Sequence, residues 1–167
     1  MAHIFLDHFM LQIMMTIGGD SATLGIAIAV AAIIELPAMM IYKRMSKKAG
    51  PSKLLMLAGW CWVVKNLLIM LARTPEAIYA AELLQFFSYA VYVPATVDYI
   101  GQNLQEGDFL RAQALSGSAF TMGSLLATMI GGPMIDLIGV RAMVCVVQIF
   151  SLTGAVLFMF ALKKKKA

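Results

Sequence analysis

Two ionisable residues stand inside long apolar runs, and their types suit charge-coupled chemistry. Glu35 ends the run GIAIAVAAIIE, and Lys65 interrupts LLMLAGWCWVVKNLLIML. A charge held in hydrocarbon costs roughly 2.5–3.5 kcal/mol on insertion scales, so it marks a functional position by default. Counted from Lys43, where a basic cluster begins, Glu35 lies about 12 Å into the apolar layer at 1.5 Å per residue. Counted from Lys53, Lys65 lies about 18 Å in. Long side chains span the remaining difference, so Glu35 and Lys65 are expected to pair if their helices pack together. Such a pair either serves a solute or only neutralises itself. Pairs that merely stabilise are readily replaced by apolar packing, which weighs toward the first. Pro37 follows closely, and its kink suits either a water-lined cavity or simple packing.

A polar stripe supplies the next candidates. Glu82, Gln85, Tyr89, Tyr92, Thr96 and Tyr99 recur at alternating steps of three and four, a spacing that places them on one helical face. They offer an amide and hydroxyls for a polar solute and aromatic rings to stack on it. The same residues could instead form an interhelical seam, with tyrosines anchoring at the membrane interface. Glu82 and Tyr99 read as near the two boundaries, and Asp98 as a charge close to a loop. The small residues Ser116, Gly117, Ser118, Gly123, Ser124, Gly131 and Gly132 read as close helix packing. The 14 methionines read as adaptable packing.

Other chemistries have no residues to stand on. His3 and His8 lack a third metal ligand nearby, and Cys61 and Cys145 each lie in an apolar run without CxxC spacing. Neither GxSxG, HExxH nor a phosphate-cradling glycine loop occurs. No metal, no cofactor and no enzymatic reaction are expected.

The elements that must position these residues follow from composition. Of 167 residues, 61% are apolar and 13% charged, with a mean hydropathy of +0.84. A soluble domain carries about 25% charged residues. This balance excludes a disordered chain, a nucleic-acid binder with a solvated basic face and a soluble metalloenzyme, and it requires lipid-facing surface. Charges divide the chain into six segments near residues 2–17, 22–42, 54–71, 77–100, 112–134 and 142–162. A spanning helix needs about 20 mostly apolar residues. The last five segments meet that, whereas the first looks like the tail of a clipped helix. The links are short, so successive helices are antiparallel neighbours. The start MAHIFLDHFM has no basic region or cleavage site of a secretory leader.

Orientation follows from the cations. Ten of the 13 lie in the 43–53 link, at Arg111 and in the Lys163–Lys166 tail, which share one side if five helices alternate. Only Arg73 and Arg141 lie opposite, so the carboxyl terminus is expected in the cytoplasm. The lysine tail reads as a topological anchor rather than a lipid-specific site.

In order and spacing, several segments resemble the carboxyl-terminal half of a major facilitator superfamily transporter. They are the E-L-P of Glu35–Pro37, the basic link, LLMLAGWCWVVK, AELLQFFSYAVYVPATVDYIGQ, R-A-Q at Arg111–Gln113 and GGPMIDLIGVR. The branch they most resemble is the oligosaccharide and nucleoside proton symporters that include lactose permease. The resemblance implies an all-α multi-pass membrane protein, one six-helix half of a twelve-helix fold, with its first helix truncated. Residues 1–167 would form one bundle in the cell (inner) membrane and move a sugar or nucleoside with protons by alternating access. Glu35 resembles the carboxylate that engages sugar, although its distance to the next helix is some three residues shorter. Lys65 stands at that branch's intramembrane arginine. Gln85 and Ser88 replace the histidine and glutamate of its proton relay. Coupling would then pass through Glu35, since burial favours a neutral carboxyl, or follow another route.

The substrate and coupling-ion candidates are therefore Glu35, Lys65, Gln85, Ser88, Tyr89 and Tyr92. The partners implied are a small polar solute, protons, the lipid bilayer, and a missing amino-terminal half or a second copy, with no nucleic acid. A competing reading is a non-transporting membrane interaction module, a half-transporter remnant that associates through its helices.

Overall fold

The computed structural model describes residues 2–164, with backbone alone at 2, 3, 106 and 161–164. The described residues are helical almost throughout and contain no strand. α1 (Ala2–His8) and α2 (Met10–Met15) meet at Phe9, whose backbone leaves the helical region. Asp20 then starts α3 (Ser21–Ala49): its carboxylate accepts from the Thr23 amide at 2.9 Å, while the Thr23 hydroxyl oxygen accepts from the Asp20 amide at 2.7 Å. This reciprocal cap satisfies donors that a helix start leaves without partners.

α3 continues through Pro37 and through most of the basic stretch expected to be a link. Lysine, arginine, methionine and alanine are all good helix formers, so nothing in 43–49 stops the helix. Gly50 does, at φ 78°, and Pro51 opens α4 (Pro51–Leu71) in the position where its missing N–H costs nothing. α5 (Pro75–Glu82) starts on another proline and passes into a 3₁₀ turn (Leu83–Phe86). The backbone breaks again at Ser88 before α6 (Tyr89–Asn103). The expected continuous helix over 77–100 is thus discontinuous, which ends the single face drawn through Glu82 to Tyr99. α7 (Glu106–Lys164) is bent at Gly139 into two arms, 106–138 and 140–164. The DLIGVR link expected there is reduced to that one glycine.

Among the described residues, three helices are long and apolar enough to cross a membrane: α3, α4 and the 107–160 stretch of α7. α4 lies between α6 and α7, α3 packs on α6 and the 3₁₀ turn, and α1 packs on α7. Large apolar side chains point outward along α3 and α7, among them Ile33, Leu36, Met40, Leu110 and Leu137. In lipid that outward face is the favourable one.

Inside, the apolar packing forms two layers. One gathers Leu6, Met14, Ile69, Ile78 and Met143, and the other Tyr42, Leu54, Leu55, Val91 and Ala95. Each central helix carries its polar residue between its contributions to the two layers. Glu35 falls between Ala27 and Tyr42, Lys65 between Leu55 and Ile69, and Gln85 between Ala81 and Val91. Chain position alone therefore stacks three polar groups at one depth.

Candidate functional site

At that depth the polar side chains form one connected chain of contacts. The Lys65 ammonium donates to Glu82 Oε2 and to Gln85 Oε1, both at 2.7 Å. Gln85 Nε2 donates in turn to Glu35 Oε1 at 2.8 Å. Ser88 Oγ reaches Gln85 Oε1 only at 3.5 Å, a weak contact. Lys65, Glu82, Gln85 and Ser88 are all buried, and Glu35 is half-buried. The expected Glu35–Lys65 pair is accordingly indirect: Lys65 takes Glu82 as its ionic partner, and the Gln85 amide bridges to Glu35.

The local backbone explains the substitution of partners. The 3₁₀ turn is wound more tightly than an α-helix, at 3.0 residues per turn, and it follows directly on Glu82. Glu82 and Gln85, three residues apart, consequently reach the same ammonium. A lysine fully desolvated beside a carboxylate needs further hydrogen bonds to satisfy its remaining protons, and Gln85 supplies one.

The network forms one wall of a cavity of about 400 Å³. Five polar residues line it, Asp7, Glu35, Lys65, Glu82 and Gln85, with apolar side chains such as Met10, Leu24 and Ile28 completing it. Its size suits a small polar solute.

Four of the six sequence candidates are brought together, namely Glu35, Lys65, Gln85 and Ser88, of which Ser88 is sealed behind the wall. Tyr89 and Tyr92 do not line the cavity. The Tyr92 ring packs on Trp62 at 4.7 Å between centroids and belongs to the second apolar layer. Two further acids line the cavity. The sequence reads Asp7 as an interruption in a short segment, and Glu82, although on the polar stripe, as a residue near a boundary. The rise per residue would have found both: Asp7 lies eleven residues before Gly18, about 16 Å, and Glu82 nine after Arg73, about 13 Å.

Asp98, expected as a charge close to a loop, lies in the last part of α6. It is half-buried, and its Oδ2 accepts from the Tyr42 hydroxyl at 2.8 Å and from the Ser46 hydroxyl at 3.1 Å, tying α6 to α3. His8 Nε2 lies 2.8 Å from Ser124 Oγ on α7, and His3 lies outside the described side chains. Both cysteines are free thiols.

A bundle of apolar helices enclosing a desolvated charge network and an acidic cavity defines a polytopic membrane protein with an intramembrane polar site. The family follows from comparison with known proteins: the Major Facilitator Superfamily pattern matches residues 4–167, and the chain belongs to that superfamily. It is 25% identical over 164 residues to a Deinococcus radiodurans protein carrying the name of a sugar efflux transporter, covering 98% of this chain and 42% of that protein. It is 26% identical over 152 residues to YwbF of Bacillus subtilis, named an uncharacterised transporter, covering 89% of this chain and 38% of that one. The chain thus spans about two fifths of the length of these curated relatives.

Proposed function

We propose that the chain is the carboxyl-terminal six-helix half of a secondary transporter that carries a small polar solute by alternating access, with a proton as co-transported ion. A sugar is the solute class favoured, in keeping with the name of the Deinococcus relative, and a nucleoside is the neighbouring class. The other wall of the cavity comes from a second six-helix half or a second copy. The cation distribution supports insertion in the cell membrane with the carboxyl terminus cytoplasmic.

The observation that carries this reading is the contact chain Glu82–Lys65–Gln85–Glu35. Its inner end is a sealed, neutral ion pair, and its outer end is a carboxyl at a solute-sized cavity. Protonation of Glu35 or arrival of a solute hydroxyl there changes what the Gln85 amide faces. Gln85 lies in the 3₁₀ turn between α5 and α6, where a helix can bend without breaking regular hydrogen bonds. Binding at Glu35 is thereby connected to a hinge.

The test uses the transporter as its gene encodes it, in vesicles with an imposed pH gradient. Glu35→Gln should abolish accumulation of sugar against its gradient while leaving sugar exchange at equal concentrations intact. Accumulation that persists in Glu35→Gln rules out Glu35 as the coupling group.

A further inference from the structure

The cavity wall is strongly one-sided in its hydrogen-bonding character. Its one ammonium, Lys65, is 1% exposed and faces Glu82 and Gln85, so its charge is consumed inside the wall. The Gln85 amide is likewise buried and donates to Glu35. Glu82 is matched by Lys65. Of the five polar lining residues, Lys65, Glu82 and Gln85 are buried in the wall, whereas Glu35 is half-buried and its partner is the neutral Gln85 amide. The rest of the lining is aliphatic. An ionised carboxylate only accepts hydrogen bonds, and it carries its charge into a region of low dielectric where an opposite charge is attracted strongly.

We propose, resting on the transport reading above, that this cavity selects solutes that bring hydrogen-bond donors and a positive charge. The class is an amino-substituted sugar or a comparable polyol amine, its ammonium seated on Glu35. Charge-assisted hydrogen bonds are roughly twice as strong as neutral ones, so the amine gains over the corresponding alcohol. An anionic sugar meets a carboxylate of its own sign at Glu35 and is repelled. The argument stands on Glu35 and on the pairing of Lys65 with Glu82 and Gln85.

The experiment measures exchange of three matched probes, galactosamine, galactose and galacturonate, by the full transporter in proteoliposomes at neutral pH. The expected order is galactosamine, then galactose, then galacturonate, with at least about tenfold between the first and last. In Glu35→Gln, galactosamine should lose its advantage over galactose, with a monodisperse elution in detergent and an unchanged thermal midpoint certifying that the variant is folded, and Glu35→Asp should keep the original order. Galacturonate moving as fast as galactose, or an amine preference that survives Glu35→Gln, overturns the proposal. The order in the unmodified protein decides the matter even where a variant fails to fold. Exchange of none of the three refutes the sugar-transport reading itself, and this inference with it.

Discussion

Lys65 of α4 and Glu82 at the end of α5 form a 2.7 Å ion pair with side chains 1% and 6% exposed. Removing one member of a buried pair leaves an uncompensated charge and costs roughly 3–5 kcal/mol, whereas replacing both with apolar residues is often neutral or stabilising. Lys65→Met and Glu82→Leu should each lower the thermal midpoint in detergent sharply, and the double variant should recover most of the loss. Equal losses in the double and single variants would show that the pair does not act as a unit. In the double variant Gln85 has lost the ammonium that orients it, so solute exchange should stay impaired although stability returns.

The Tyr42–Asp98 contact makes a second, separable tie. Both donors on Asp98 come from α3, one helical turn apart, so this carboxylate ties α6 to α3 at the basic end of the bundle, beside the apolar packing of Tyr42, Val91 and Ala95. A hydrogen bond to a charged group is worth about 1.5–3 kcal/mol. Tyr42→Phe should lose about that much, and Asp98→Asn somewhat less, because the amide oxygen still accepts. Crosslinking between cysteines placed at the ends of α3 and α6 reports the loosening directly. Unchanged crosslinking in Tyr42→Phe would remove Asp98 from the account of how the two helices hold together.

What the sequence made legible, and what it did not, divides along physical lines. The apolar runs and their depths follow from the cost of charge in lipid, so Glu35 and Lys65 stand out with no structure in hand. Gln85 stands out by its place in a polar stripe, and Ser88 only through the resemblance to a transporter family. Partner choice was not legible, because it depends on a 3₁₀ turn at Leu83–Phe86 that no proline or glycine announces within those four residues. The period of Glu82 to Tyr99 presumed an unbroken helix, and Tyr89 and Tyr92 were placed at the site on that assumption. The links expected at 43–53 and 136–141 rest on charge punctuation, whereas the helix continues to Gly50 in the first and to Gly139 in the second.

A pH effect is expected at the start of α3, outside the membrane-spanning stretch. Hydrogen bonds from Thr23, its backbone amide foremost, hold the Asp20 carboxyl below its ordinary value. A carboxyl whose folded value is depressed contributes stability above its unfolded value, about 3.9, and loses it as pH falls through the folded value. The advantage of Asp20 over Asp20→Ala should therefore be constant from pH 5 to 8 and shrink below about pH 4. Asp20→Asn, which retains the acceptor, should show no such decline. A difference between wild type and Asp20→Ala that changes around neutral pH would assign the effect to another group.

Two glycines in α7 should fail for opposite reasons when substituted by alanine. At Gly131 the added Cβ would overlap the Phe9 ring and crowd Phe5, where α1 lies against α7. Phe9 is itself buried in the first apolar layer, so the ring has little room to retreat. Overpacking of this kind costs typically 1–3 kcal/mol. At Gly139 the added Cβ would meet nothing within 4 Å, but the backbone sits at φ 81° and ψ 162°, a region essentially confined to glycine. Holding another residue there costs about 1–3 kcal/mol. The two losses are similar in size and separable by rescue. Phe9→Leu should recover much of the Gly131→Ala loss, because it removes the colliding ring atoms, although it forfeits some packing of its own. No neighbouring truncation should recover Gly139→Ala, since its strain lies in the chain and not in a contact. Thermal midpoints of the two singles and of each combined with Phe9→Leu decide this. If Phe9→Leu rescues neither glycine variant, the close approach of α1 to α7 is not what Gly131 provides.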